Sequence, residues 1–330
     1  MVGRRPSRDH LKLNRGNHSQ TGDMQFHWQV IAEGDQGPGP RSRHGLVYDR
    51  AAMATVLFGG IIWDAAGSLV NDTWELHGGE WRPVESPRNP LPRHRGAMAY
   101  DALLGCSVLF GGQANDGGML GDTWFYEDRQ WRRWRPRWWS RMPRPRCGHA
   151  MAFNEAEGLT VLFGGIARGD NTLGDTWIFD GRNWQIAPGP APPPRRYAAL
   201  AYDPYLQGCV LHGGSVDDHG HEQFADAWLF RGGSWLRLPH GFDADCRDDH
   251  GMAFHYAAQR LVMLDGIGGA RGLLVREAGG WRNAELAVLH PRHQCSPLAW
   301  DIGLNGLVMH GGEARHGGPQ MDATLALRAV

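Results

Sequence analysis

The sequence predicts an all-β protein, a closed ring of six four-stranded blades in the manner of a β-propeller, and three observations carry that expectation. An anchor residue recurs as Asp49, Asp101, Asn154, Asp203, His255 and Asp301, at intervals of 46 to 53 residues. Seven residues after each anchor begins an apolar run closed by glycine: VLFGG from Val56, Val108 and Val161, VLHGG from Val210, VMLDG from Val262 and VMHGG from Val308. A DTW motif follows at Asp72, Asp122 and Asp175, weakening to DAW at Asp226, and Trp81, Trp131, Trp184, Trp235 and Trp281 form a later series. A period of this length marks stacked copies of one supersecondary unit.

Each unit divides into four short strands. The first leads into the anchor and alternates large residues (Leu46, Met98, Met151, Leu200, Met252, Leu298) with small ones (Val47, Ala99, Ala152, Ala201, Ala253, Ala299), a taper suited to strands crowded at a ring centre. The second ends in the paired glycines, where the chain needs positive φ; Asp265 stands in one such slot, and Asp is among the few substitutes that region accepts. The third carries DTW and the fourth the later Trp. The last unit lacks its Trp strand, whereas Phe26, His27 and Trp28 form an orphan one ahead of the first unit. The N-terminal strand is therefore expected to complete blade six and leave no open sheet edge.

The chain has 330 residues, 42% of them apolar, and 34 basic against 35 acidic side chains. That suits a large core and removes a general electrostatic case for nucleic acid as partner. No stretch approaches 18 apolar residues, so no membrane partner is expected. All but one of the basic residues are arginine, a bias that a GC-rich coding sequence also produces. Five scattered cysteines without a CxxC pair suit a reducing, cytoplasmic setting. Residues 1–23 read as a disordered basic tail and 24–330 as one propeller domain.

An Arg stands eight residues before five of the anchors (Arg41, Arg93, Arg146, Arg195, Arg247), with His293 in the sixth slot. Arg, small-and-aromatic strand, VLFGG, DTW and Trp together resemble the kelch repeat over residues 26–330. The resemblance implies that the loops after strands two and four share one face around the mouth of a central channel. That face, with Arg43, His44, Arg95, His149, Tyr197, His212, Asp249, His250 and His310, is the expected ligand-binding surface for a protein, peptide or small molecule. Because the Arg slots and DTW aspartates recur in nearly every unit, they are read as structural.

His44, His149 and His250 occupy one station in blades one, three and five, where the other blades have Gly96, Ala198 and Ser296. Three imidazoles meeting at an axis would suit Fe, Cu or Zn and a metal-dependent enzyme; packing is the competing expectation. A second candidate metal set is His219, His221, Glu222 and Asp248, with a solvated acidic rim as its alternative. The segment WRRWRPRWWSRMPRPR from Trp131 to Arg146 has seven Arg, four Trp and no acid. Its Arg135, Arg137, Trp138 and Trp139 are expected to contact a partner, because Arg and Trp anchor interfaces. Hydrolase, zincin, P-loop and dinucleotide motifs are absent from the sequence. The copper site with two tyrosines of galactose-oxidase-type kelch enzymes finds only Tyr197 on the entry loops, and the ExxxDxxxH order of nitrile-specifier proteins reaches Phe230 instead of His.

Overall fold

A computed structural model of the chain describes residues 25–34, 37–62, 67–217, 222–240, 243–264, 266–267, 272–277, 280–284, 294–314 and 320–330. The N-terminal tail and Asp265 lie outside the described residues. Six four-stranded antiparallel sheets form the six blades. Blade one comprises Gly45–Asp49, Ala54–Phe58, Thr73–His77 and Glu80–Val84, and the next four follow the same order. In blade six, Ala299–Asp301, Gly306–His310 and Thr324–Ala329 are joined by Phe26–Ala32, whose Trp28 pairs with Leu327. No helix among the described residues is long and apolar enough to cross a membrane.

The core is a set of six seams, each between neighbouring blades. Leu46 packs with Ala299 and Val308 of blade six, Met98 with Val56 and Phe58 of blade one, and Met151 with Val108 and Phe110 of blade two. Large first-strand residues therefore fill the seam behind them and also line the central channel. This follows from strand alternation, which sends successive side chains to opposite faces of a blade.

Polar side chains stitch the same seams. The fourth-strand Trp of one blade donates its indole N–H to the DTW threonine of the blade before: Trp131 to Thr73 at 2.8 Å, Trp184 to Thr123 at 3.0 Å and Trp235 to Thr176 at 2.8 Å. Trp81 reaches Thr324 of blade six at 2.7 Å, carrying the pattern across the closure. Replacing Thr73 by Val keeps the shape but strands a buried N–H, so a loss of about 1–3 kcal/mol is expected in urea unfolding. An unchanged midpoint would show that the stitch adds nothing.

The anchors have a physical role as well. Asp49 accepts the amides of Ala51 and Ala52 through one oxygen and the hydroxyl of Ser107, in the next blade, through the other. Asp101 does the same toward Thr160, and Asp301 accepts the Leu304 amide through one oxygen and the Thr55 hydroxyl through the other. His255 substitutes in blade five: its Nδ1 accepts the Ala258 amide, and its Nε2 faces the Leu327 carbonyl of blade six at 3.2 Å.

Candidate functional site

The mouth of the channel is built by one backbone station in every blade. Two residues after each Arg slot, the chain takes positive φ at Arg43, Arg95, Gly148, Tyr197, Asp249 and Cys295. Each of these residues donates its amide to the carbonyl of the same station in the preceding blade. The bonds run from Arg43 to Cys295, Arg95 to Arg43, Gly148 to Arg95, Tyr197 to Gly148, Asp249 to Tyr197 and Cys295 to Asp249, at 2.8–3.1 Å. The result is a closed hydrogen-bonded hexagon. It fixes six side-chain positions around the axis, and the sequence is free to vary what stands there.

What stands there is Arg, Arg, nothing, Tyr, Asp and a thiol. Arg43 pairs with the buried carboxylate of Glu313 at 3.2 Å, which also accepts the Ser42 hydroxyl. Arg95 crosses the mouth: its guanidinium stands 4.3 Å from the Tyr197 ring centroid, donates to the Tyr197 hydroxyl and lies 3.9 Å from Asp249. Burial opposes its charge, but Asp249 and Tyr197 outweigh burial and hold Arg95 cationic. Next to Asp249, Asp248 is pushed up to about 6, first by burial and then by its neighbour's charge. Gly148 is required by this arrangement, because a Cβ there would lie 2.5 Å from Cε1 of Tyr197. Gly148→Ala should therefore expel the Tyr197 ring from its place beside Arg95 and cost about 1–3 kcal/mol. Thermal melting and near-ultraviolet dichroism check this; an unaltered tyrosine signal would contradict it.

The structure does not gather the three histidines into a metal centre. Each packs edge-on against the second-strand aromatic of the preceding blade: His44 on His310 at 6.0 Å, His149 on Phe110 at 5.5 Å and His250 on His212 at 5.3 Å. They occupy three separate seams, and among the described residues no group of three His, Cys, Asp or Glu could hold a metal. Strand geometry explains why: these side chains share a face with the large residues that fill the seams. Burial drives His149 and His212 down to about 3, and drives His44 and His250 well below the ordinary imidazole value. His44, His149 and His250 still wall a cavity of about 140 Å³ beneath the hexagon. His212 and His310 are buried behind them and do not line this cavity; His310 is held by Thr324 and the Gly39 carbonyl. Of the second metal set, His219 and His221 lie outside the described residues, Glu222 is exposed and Asp248 is buried.

The Arg and Trp segment enters the hexagon directly, running from the fourth strand of blade two to Gly148. Trp131 and Trp134 are buried in the blade, whereas Trp138 is 92% and Trp139 59% exposed. The two exposed indoles meet edge to face at 5.1 Å, with Arg137 5.5 Å from the Trp139 ring centroid. Arg135 and Arg137 are exposed on the same loop.

The recurrent Arg slots are structural. Arg41, Arg93, Arg146 and Arg195 fork onto Asp72, Asp122, Asp175 and Asp226 within their own blades. Residues 76–264 match the family model described as the KLHDC2/KLHL20/DRC7 Kelch-repeats domain. The chain belongs to the kelch-repeat β-propeller family. The kelch propeller is 33% identical over 164 residues to F-box/kelch-repeat protein At1g51550 of Arabidopsis thaliana, a match covering 46% of this chain and 33% of that protein. It is 29% identical over 215 residues to human multiple epidermal growth factor-like domains protein 8, covering 58% of this chain and 7% of the relative. The matched regions thus take up a third or less of these relatives. The solved structure of YjhT superposes with a TM-score of 0.64 over 90% of this chain and 99% of its own, at 14% identity, a likeness of fold.

Sequence reasoning singled out Arg43, Arg95, Tyr197 and Asp249, and the structure brings them together at the hexagon. It missed Cys295 and Glu313. Cys295 was legible from its spacing, since it stands two residues after the His293 slot. Glu313 follows the glycine pair of blade six, where other blades have Ile61, Gln113, Ile166, Ser215 and Ile267; a lone acid among such residues was the available signal.

Proposed function

We propose that this kelch propeller is a recognition domain whose hexagon face grips a protein or peptide partner through that partner's acidic side chains. The observation that carries the reading is the loop that leads into the hexagon at Gly148, which exposes Arg135, Arg137, Trp138 and Trp139 and contains no acid; Arg43 and Arg95, already matched by Glu313 and Asp249, hold the mouth in place beside it. Arginine forks bind carboxylates bidentately, and paired exposed indoles supply the apolar anchor that interfaces concentrate. The cavity under the hexagon, about 140 Å³, is smaller than the few hundred cubic ångströms that enclose a typical small ligand. This favours a partner lying across the face over one swallowed by it. None of the five cysteines forms a disulfide, which supports a cytoplasmic setting for that partner.

A test is selection from a displayed peptide library with the whole chain as bait. Acidic, aromatic-containing peptides are expected, with affinities falling about tenfold or more when Trp138 and Trp139 are replaced by Ala, or Arg135 and Arg137 by Ala. Affinity should also drop as salt rises. Peptides without acidic bias, or full binding by both variants, would sink the reading.

A further inference from the structure

The opposite end of the channel carries a second, larger site, and its residues are distinct from those of the hexagon face. A cavity of about 420 Å³ opens between the turns that join the first and second strands, a size that matches small-ligand pockets. Its floor is apolar and includes Leu46, Met98, Met151 and Leu200. Its rim is aromatic, because the residue before the anchor is Tyr48, Tyr100, Phe153, Tyr202, Phe254 or Trp300, one from each blade.

The residue after the anchor differs by blade. Blades one, three and five supply Arg50, Glu155 and Tyr256; blades two, four and six have Ala102, Pro204 and Ile302. Arg50 extends past the Tyr100 ring, 5.9 Å from its centroid, and pairs with Glu155 two blades away. Its charge also acts on the Tyr256 phenol, opposing the rise that burial imposes there. Convergence from alternate blades, expected of the histidines at the other mouth, is realised here by a cation, a carboxylate and a phenol.

The surroundings are negative. Behind the aromatic rim lie the anchor carboxylates of Asp49, Asp101 and Asp301, each satisfied by hydroxyl and amide donors, with no cation paired to it among the described residues. Asp203 is matched by Arg276 at 2.9 Å, and the blade-five anchor is His255, which burial lowers to about 4 and leaves neutral. Among the described residues Arg50 is the one cation that lines the cavity, and it is 43% exposed. Ring faces bordered by carboxylates attract organic cations, and Arg50 occupies the position such a cation would take, against Tyr100 and Glu155.

We propose that this second mouth is a binding site for a small alkylammonium cation, with Arg50 as a built-in occupant that the ligand displaces from Glu155 and Tyr100. The ligand's charge would meet Glu155 and the aromatic rim, while its carbon skeleton enters the apolar floor. Arg50 sets the affinity by competition: it must leave its partners before the ligand can bind.

The test is calorimetric titration of the full chain at low salt with benzyltrimethylammonium and with its neutral tert-butyl isostere. The cation should bind at least tenfold more tightly than the isostere. Arg50→Ala should tighten cation binding about tenfold by removing the competitor, and Glu155→Gln should weaken it about tenfold. Both residues are partly exposed, and unchanged melting temperatures confirm that the variants fold. Equal binding of cation and isostere, weaker binding by Arg50→Ala, or no heat from either protein at millimolar cation would overturn the proposal. Binding of a trimethyllysine peptide without binding of the free cation would overturn the small-molecule assignment.

Discussion

Lowering the pH from 7 to 5 is expected to remove several kcal/mol from the folding free energy of this propeller, chiefly through the buried imidazoles of His44, His149, His212 and His250, with His94 and His255, both lowered to about 4 by burial, adding to the loss. His44, His149, His212 and His250 are all buried in seams, and burial is the first cause that depresses each of them. The sign follows from comparing the two states. In the unfolded chain these side chains take up protons near the ordinary value of about 6.5; in the folded chain they remain neutral far below it. Their contribution is therefore fully present above about pH 6.5 and is lost as pH falls toward the folded values, at about 2 kcal/mol per imidazole by pH 5.

The neighbouring charges act in the same sense. Arg41 and His310 further depress His44, Arg146 depresses His149, and Arg247 depresses both His212 and His250. Asp175 and Asp226 pull the other way on His149 and His212, without reversing the shift. Asp248 opposes the trend: raised to about 6, it takes up its proton more readily when folded and returns about 1 kcal/mol at pH 5. Asp122, Asp175 and Asp226 are lowered, which places their losses below the window. Urea midpoints measured from pH 7 to 5 check the sum, and a flat profile would contradict it. His212→Phe installs the residue that Phe58, Phe110 and Phe163 already provide in sister blades. It should reduce the slope by about one proton while leaving stability at pH 7 near that of the parent.

The same histidines show where sequence was legible and where it was not. The repeat anchors, the glycine pairs and the orphan Trp28 strand fixed blade number and closure, because each answers to a local backbone or packing requirement repeated in every copy. The direction of a side chain at one station is a different matter. His44 in blade one stands one residue before a first strand that faces a seam on both sides, so a pattern of alternating blades looked like convergence on the axis and was packing against His310. Arg43, one residue earlier, takes positive φ and turns to the mouth. The hexagon depends on that φ, which no residue-type preference signals when the six occupants are Arg, Arg, Gly, Tyr, Asp and Cys. At the other mouth, Arg50 and Glu155 are 105 residues apart in sequence. They become neighbours only when two blades are wrapped around a third.

Asp122→Ala is expected to cost about 3–5 kcal/mol, the largest effect of any single substitution considered. Arg93 has a side chain 1% exposed and places both guanidinium nitrogens on Asp122, at 2.7 and 3.0 Å. Its remaining bonds go to the carbonyls of Gly111 and Leu91, and Trp124 donates its indole to the same carboxylate at 2.7 Å. Removing Asp122 strands a buried cation and an indole N–H together, and two carbonyls cannot replace a counter-charge. The pair need not be stabilising in itself, because desolvating both ions offsets much of their attraction. Arg93→Met combined with Asp122→Leu should therefore be less damaging than Asp122→Ala alone, since it leaves no unmatched charge. Urea unfolding of the two variants decides the matter. If the double variant loses at least as much as Asp122→Ala, the ion pair and its two carbonyl bonds contribute net stability to the blade, and the recurrence of Arg with DTW reflects that gain.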